Sequence, residues 1–317
     1  MPRIARPTKP LADVNCLPQQ DGSHEVVACF LPDPYMLVGE GNSSACLAID
    51  ASASMKAMFG SSPVPFNKPP NYVEAVARKI GSILCGITKT GKVAGIYWAT
   101  SPDGGKTEVI GELDESGWNS ASIAGPRRPQ DWGRGTKLLP PVKHIVETVD
   151  KNSDWTMGVV ITDGIIEDEK DVVDYCMKLG RGLDSLATAG KRKKNSFKLV
   201  LIGIGEEVDE DQFERLNDMF EDSPLEGKID LWACGMVASM QEESDILAVL
   251  FGELMSEELI VAPSGTVVDG SGLELRKWPD GVPGKFRFIL PKGQSSFTVR
   301  IQGEEITQDC SELIGKP

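Results

Sequence analysis

The sequence predicts an α/β fold: a doubly wound, mostly parallel sheet with helices on both faces, together with a small β-sandwich built from the N- and C-terminal segments. Three observations predict it. From residue 45 to about 256, short β-rich runs alternate with amphipathic stretches of helical period, the pattern of a parallel sheet covered on both faces. The run Ala45-Cys46-Leu47-Ala48-Ile49 is continuously apolar, as a central strand buried on both sides must be. After residue 258 the pattern changes to short β-type runs separated by Pro- and Gly-containing turns.

Taken in order, residues 25–31 and 35–39 are candidate strands near the N-terminus, and residues 45–49 form the first strand of the α/β region. Val73, Val76, Ile80, Ile83, Leu84 and Ile87 recur at three- and four-residue spacings, one face of a helix. Residues 93–100 read as a strand. Leu138, Leu139, Val142, Ile145, Val146 and Val149 mark a second amphipathic helix, and residues 157–162 the next strand. Residues 166–179 read as a helix with an acidic outer face, 197–204 as a buried strand, 209–220 as a helix, 229–234 as a strand and 245–255 as the last helix. The later β-type runs are 259–262, 266–268, 273–276, 286–290 and 297–301. So few strands struggle to bury a core alone, and pairing with the N-terminal strands completes a sandwich. The expected organisation is residues 1–44 and 258–317 as the two parts of the β-sandwich, with an α/β domain, 45–257, inserted between them.

Composition narrows the function. The 317 residues are 40% hydrophobic and 25% charged, and 47 acidic against 33 basic residues give a formal net charge of −14. Such a chain repels nucleic-acid phosphates and anionic membranes, so neither is an expected partner. The start, Met-Pro-Arg-Ile-Ala-Arg-Pro, is not followed by an apolar signal core, and no stretch has the ~20 apolar residues of a membrane span. Seven widely spaced cysteines without a C-x-x-C pair read as small buried hydrophobes in a reducing compartment and give no support to a structural zinc site. The expected compartment is the cytoplasm. With only His24 and His144, histidine-based catalysis has little material.

The chemistry concentrates where the first strand ends. Asp50-Ala51-Ser52-Ala53-Ser54 follows it directly, outside the carboxyl end of a strand, where open α/β sheets bind ligands. Alternate positions of an extended turn let one carboxylate and two hydroxyls converge. Two further oxygen donors lie at corresponding places: Thr136 in Gly133-Arg134-Gly135-Thr136 before a helix, and Asp163 in Ile161-Thr162-Asp163-Gly164 after a strand. Hard oxygen donors of this kind suit Mg2+, with Mn2+ and Ca2+ as further candidates.

In this order and spacing, over roughly residues 45–256, the motifs resemble the metal-ion-dependent adhesion site of the von Willebrand factor A domain family. The resemblance implies that Ser52, Ser54 and Thr136 touch the metal directly, that Asp50 and Asp163 act through water, and that an Asp or Glu from a protein partner completes the shell. It further implies a Mg2+-dependent protein-binding module and not an enzyme, serving as an intracellular adaptor of an AAA-type ATPase or a stress-response complex. Ala53 stands where the family more often has Gly, and residues 59–71, with four prolines, make a long loop after the motif. The alternatives are a metal-assisted hydrolase, for which no neighbouring His, Lys or Cys offers a base, and a scaffold whose metal site is vestigial.

Each element also has a plainer reading. Asp-x-Ser-x-Ser and Thr-Asp-Gly are common turns, and Thr136 is a helix N-cap candidate. Gly203-Ile204-Gly205 lacks the third glycine of a dinucleotide site. The run Lys191-Arg192-Lys193-Lys194 reads as a solvated loop, and His144 as a structural or exposed histidine beside the apolar stripe. Arg127, Arg128 and Arg134 precede Thr136 and either draw an anionic ligand or pair with surface carboxylates.

Overall fold

The computed structural model describes residues 4, 7–30, 41–60, 70–193, 196–204, 208–236 and 260–314. The expected strand 35–39 and helix 245–255, most of the proline-rich loop, Lys194 and Gly205 lie outside the described residues. The chain divides into two compact units, one of residues 1–37 and 239–317, the other of residues 38–238.

The first unit is antiparallel β structure. Its strands are β1 (Leu11–Pro18), β2 (His24–Phe30), β9 (Ile260–Ala262), β10 (Gly265–Asp269), β11 (Glu274–Trp278), β12 (Val282–Pro283), β13 (Lys285–Leu290), β14 (Ser296–Ile301) and β15 (Glu304–Asp309). β13 pairs with β2, Phe286 opposite Ala28 and Leu290 opposite His24, so chain from both ends shares one sheet, ordered β1-β2-β13. A second sheet runs β11-β10-β14-β15, and β12 pairs with β9. The alternation of β13, with Phe286, Phe288 and Leu290 buried and Arg287 and Ile289 exposed, is that of a strand with one face on a core. Phe286 packs edge-on against Trp278 of β11 at 5.2 Å, and Phe288 against Phe297 of β14 at 4.9 Å. These aromatic pairs join the two sheets through one apolar core. A single-turn helix, Ser311–Ile314, follows β15.

The second unit holds a six-stranded sheet, β5-β4-β3-β6-β7-β8, of β3 (Ser43–Asp50), β4 (Lys92–Thr100), β5 (Lys106–Asp114), β6 (Trp155–Thr162), β7 (Phe197–Gly203) and β8 (Trp232–Met236). β3, β4, β6, β7 and β8 are parallel, whereas β5 turns back antiparallel to β4. Every residue of β7 and all but the first of β6 are buried, as strands covered on both faces require. The helices are α1 (Tyr72–Cys85), α2 (Glu115–Ser120), α3 (Leu139–His144), α4 (Glu169–Thr188) and α5 (Glu210–Asn217), and the terminal turn Ser311–Ile314 is α6. Caps fix where they start: the Asn71 side chain accepts from the Glu74 amide at 2.9 Å, and Asp114 from Gly117 at 2.7 Å, each worth ~1 kcal/mol. Asp168, just before α4, instead accepts from the amides of Leu138 and Leu139 at 2.7 and 3.0 Å. It caps α3 from a distant part of the sequence and so fixes the segment carrying Thr136.

The expected fold class, a doubly wound α/β chain, is corrected here. Among the described residues strand accounts for 36% against 28% helix, and three of the four sheets are antiparallel throughout. The chain is β-rich. The physical reason is that apolar periodicity registers strands buried on both faces and misses those at the edge of a sheet: no strand was expected at Leu11–Pro18, Lys106–Asp114 or Glu304–Asp309. Each lies at the edge of its sheet, and none carries a long continuous apolar run.

Candidate functional site

The carboxyl end of β3 brings together most of the residues expected there. Asp50 is 0% exposed; its Oδ1 accepts from the Ser52 amide at 2.7 Å and its Oδ2 from the Thr162 hydroxyl at 2.6 Å. The Ser52 and Ser54 hydroxyls lie 3.0 Å apart, and Ser54 donates to Oδ1 of Asp163 at 2.9 Å. Asp50, Ser52, Ser54 and Asp163 therefore form one run of oxygen-bearing groups, from a wholly buried carboxylate to the exposed Ser54. Thr136, 7% exposed, lies beside them: a Cβ built on Gly164 would stand 3.7 Å from its hydroxyl oxygen, and its carbonyl accepts from the Glu167 amide at 3.0 Å. No two of the five lie on opposite faces of the unit.

Backbone contacts hold this convergence. The Ala53 amide donates to the Gly133 carbonyl at 2.7 Å and the Gly133 amide to the Ala51 carbonyl at 3.1 Å, so the segment before Thr136 runs parallel to the turn after β3. A side chain at Gly133 would meet the Ala99 carbonyl oxygen at 2.0 Å, which only glycine avoids. Ala99 and Ser101, at the end of β4 facing this crossing, adopt φ of 52° and 72°, a left-handed backbone that costs such residues ~1–3 kcal/mol. Trp98, buried beneath, donates its indole N–H to the Ile161 carbonyl at 3.2 Å and ties β4 across to the end of β6.

The electrostatics are unbalanced. Burial pushes the Asp50 carboxyl up to about 7 from an ordinary value of 3.8; the bonds from Thr162 and Ser52 oppose that rise, and the nearby Asp163 charge adds to it. Such a carboxylate is stabilised by anything that brings positive charge within a few ångströms. Among the described residues no three His, Cys, Asp or Glu side chains gather in a metal-binding group; this cluster has two carboxylates, and its other side-chain oxygens are hydroxyls.

Of the three arginines, Arg127 donates to the Val109 carbonyl at 3.3 Å and faces Glu108, and Arg128 forms a two-pronged pair with Asp131. Arg134, between the two glycines, is exposed. Ile165, two residues beyond Asp163, is 58% exposed. Half-burial lowers the proton affinity of His144, which sits in α3 away from the cluster in sequence. Arg192, expected in a solvated loop, instead makes a bidentate ion pair with Asp150 at 2.6 and 2.7 Å and bonds to Ser196. Sequence reasoning missed Thr162, whose hydroxyl holds Asp50. The signal was available: Thr162 ends the strand beside β3 and precedes the Asp163 already singled out.

No family model matches the chain, and no curated protein does. Among solved structures, the pilus adhesin SpaC from Lactobacillus rhamnosus GG matches at 10% identity and a TM-score of 0.37, over 95% of this chain and 48% of SpaC. The chain thus spans about half the length of that protein. A mutant of the PilB minor pilin from Streptococcus sanguinis matches at 12% identity over 78% of each chain, and the unmutated PilB at 9% over 76% and 78%, both with a TM-score of 0.37. Likenesses this distant assign neither a family nor an activity.

These findings correct three expectations. Membership of the von Willebrand factor A family is withdrawn, since no family model matches the chain and the chain is β-rich where that family implied a doubly wound α/β fold. The Mg2+-dependent intracellular adaptor of an AAA-type ATPase or stress-response complex goes with it, and so does magnesium as a trait implied by that family. The physical reason is that Asp-x-Ser-x-Ser, Gly-Thr and Thr-Asp-Gly are short, turn-forming words. They specify a local cluster of oxygens, and a cluster does not specify a family.

Proposed function

We propose that this chain is a non-enzymatic, adhesive binding protein whose contact point is the oxygen cluster at the end of β3. Asp50, Ser52, Ser54, Thr136 and Asp163 take up one hard divalent cation in this proposal, with Mg2+, Mn2+ and Ca2+ as the ions to be compared, and the cation holds an Asp or Glu carboxylate of a protein partner. The observation that carries the reading is the convergence of Asp50, Ser52, Ser54 and Asp163 in one hydrogen-bonded run, with the Asp50 carboxyl wholly buried at its inner end. A cation held largely by neutral hydroxyls keeps much of its charge and attracts an external carboxylate. The exposed Ile165 and Arg134 flank the cluster in sequence and supply an apolar and a basic contact. The proposed compartment is a reducing one, the cytoplasm; seven free cysteines, six of them buried, support it. No helix among the described residues is long and apolar enough to cross a membrane.

The test is a pull-down with the whole chain in each cation and again in EDTA, repeated with Ser52→Ala/Ser54→Ala. Partners retained with cation, and lost both in EDTA and with the variant, support the proposal. Partners retained equally under all conditions refute it.

A further inference from the structure

We propose, resting on the reading of the oxygen cluster as a cation site, that Gln212 is a positioning residue of that site. It holds the loop after β6 against α5 and so sets the spacing between Asp163 and Thr136, and with it the size of cation accepted. Gln212 lies in the first turn of α5, next to Asp209, Glu210 and Asp211, yet it is only 3% exposed. Its side-chain Oε1 accepts from the Ile166 amide at 2.7 Å, and its Nε2 donates to the Ile166 carbonyl at 2.8 Å and to Glu169 at 2.8 Å. These partners force the orientation of the side-chain amide, because an N–H needs an acceptor opposite it and a carbonyl or carboxylate needs a donor. One side chain thus pairs with both backbone groups of Ile166, as a neighbouring strand would.

Both sides of this contact are anchored. On the helix side, the Gln212 backbone amide donates to the Asp209 carboxylate at 3.2 Å, Phe213 and Leu216 are buried in the core of the unit, and Arg215 forms a two-pronged pair with the same Glu169 at 2.8 and 2.9 Å. On the loop side, Ile166 follows Asp163, whose carboxylate accepts from Ser54 at 2.9 Å. The residues after Ile166 clasp the Thr136 segment. The Glu167 amide donates to the Thr136 carbonyl at 3.0 Å, and Asp168 accepts from the Leu138 and Leu139 amides at 2.7 and 3.0 Å. The Glu167 side chain lies against Gly135, where an added Cβ would stand 2.6 Å from its Oε2. The Thr136 segment is therefore held by Glu167 and Asp168, these follow Ile166, and Ile166 is held by Gln212.

Such a clasp discriminates between cations. Mg2+ demands near-octahedral oxygens at ~2.0–2.1 Å, whereas Ca2+ accepts ~6–8 oxygens at ~2.3–2.6 Å in a flexible arrangement. Two of the candidate ligands, Asp163 and Thr136, sit on the segments that Gln212 keeps in register. Releasing Ile166 lets those segments drift apart, which a tolerant Ca2+ shell absorbs and a strict Mg2+ shell does not. Removing a group that orients metal ligands from behind costs ~10–100-fold in metal affinity, and here the loss falls on the smaller ion.

The test compares the full-length wild type with Gln212→Met, which keeps the length of the side chain but neither bond to Ile166, and with Leu216→Ala, a core truncation in the same helix. In titration calorimetry the ratio of Mg2+ to Ca2+ affinity should fall ~10-fold or more in Gln212→Met and stay unchanged in Leu216→Ala. Gln212→Glu keeps an acceptor for the Ile166 amide but no donor for its carbonyl, and should shift the ratio in the same direction by a smaller factor. Hydrogen exchange in EDTA reads the same contacts without a cation: in Gln212→Met the amides of Ile166, Glu167, Leu138 and Leu139 should lose protection together while those of β6 keep theirs. An unchanged affinity ratio in Gln212→Met, or the same shift in Leu216→Ala, overturns this inference alone. So does faster exchange at Ile166 with Glu167, Leu138 and Leu139 unaffected, or a wild type that binds Ca2+ but not Mg2+. A wild type that binds neither ion overturns the cation site itself and this inference with it.

Discussion

Replacing Asp50 with Asn tests how the cluster is balanced. The variant keeps the shape of the side chain: its amide oxygen can accept from the Ser52 N–H, and its amide nitrogen can donate to the Thr162 hydroxyl oxygen. What it removes is a charge. At ~1.4 kcal/mol per tenfold change in proton affinity, moving the carboxyl from 3.8 to about 7 makes the ionised form ~4 kcal/mol less favourable in the folded than in the unfolded chain. The folded value is the higher one, so the stability that Asp50 contributes is complete below pH ~4 and is lost as pH rises through about 7. In EDTA at pH 8, Asp50→Asn should therefore be more stable than the wild type by ~2–4 kcal/mol, and at pH 4 nearly equal to it. Urea unfolding at pH steps from 4 to 8, followed by tryptophan fluorescence, measures this. Taking the difference between the two proteins cancels the titration of groups they share, such as the half-buried Asp168. With saturating cation the order should narrow or reverse, since at a hundredfold excess over Kd the wild type gains ~2.7 kcal/mol from binding that the variant lacks. A variant less stable than the wild type at pH 8 in EDTA, or a difference that stays flat between pH 4 and 8, refutes the reasoning.

Three further outcomes are expected. Gly133→Ala places a methyl 2.0 Å from the Ala99 carbonyl, and since neither backbone can yield cheaply it should lower stability by ~2–4 kcal/mol and reduce cation affinity with it, read by urea unfolding and calorimetry. Arg192→Ala strands the Asp150 carboxylate, itself only 10% exposed, and should cost ~3–5 kcal/mol at pH 7 with cation binding unaltered. Gly81→Ala sets a methyl 2.2 Å from the Trp118 ring and should lower Tm and shift the tryptophan emission of the folded state.

What the sequence revealed followed from how strongly burial marks it. The strand expected at residues 45–49 is Ser43–Asp50, and the helix inferred from Val73, Ile80 and Leu84 is Tyr72–Cys85, because residues shielded on all sides leave a clear apolar period. Within that helix the inner face is partly drawn by Ala77 and Gly81, both buried, where periodicity pointed to Val76 and Ile83. Gly81 is there because Trp118 presses on it, a tertiary contact with no local trace. The apolar stripe from Leu138 to Val149 is a single α-turn followed by a π-helical turn, Ile145–Val149. Edge strands escaped notice for the opposite reason: no residue of β5 is buried, so its composition resembles a loop. At the cluster, the donors Asp50, Ser52, Ser54 and Asp163 were readable because strand ends gather polar turns, whereas the Gly133 crossing that aligns the Thr136 segment depends on backbone bonds between distant parts of the chain.

The central claim is that the cluster at the end of β3 binds a divalent cation, and titration calorimetry of the full chain with Mg2+, Mn2+ and Ca2+ tests it most directly, alongside Ser52→Ala/Ser54→Ala. The wild type should bind one ion per chain at pH 7.5 and gain thermal stability as the ion concentration rises. The double variant removes two hydroxyls from a turn at the end of the strand, so it should remain folded, within ~1–2 kcal/mol of the wild type in EDTA, and show no heat of binding and no cation-dependent rise in Tm. Equal binding by wild type and double variant, or no binding of any of the three ions by the wild type, would contradict the claim.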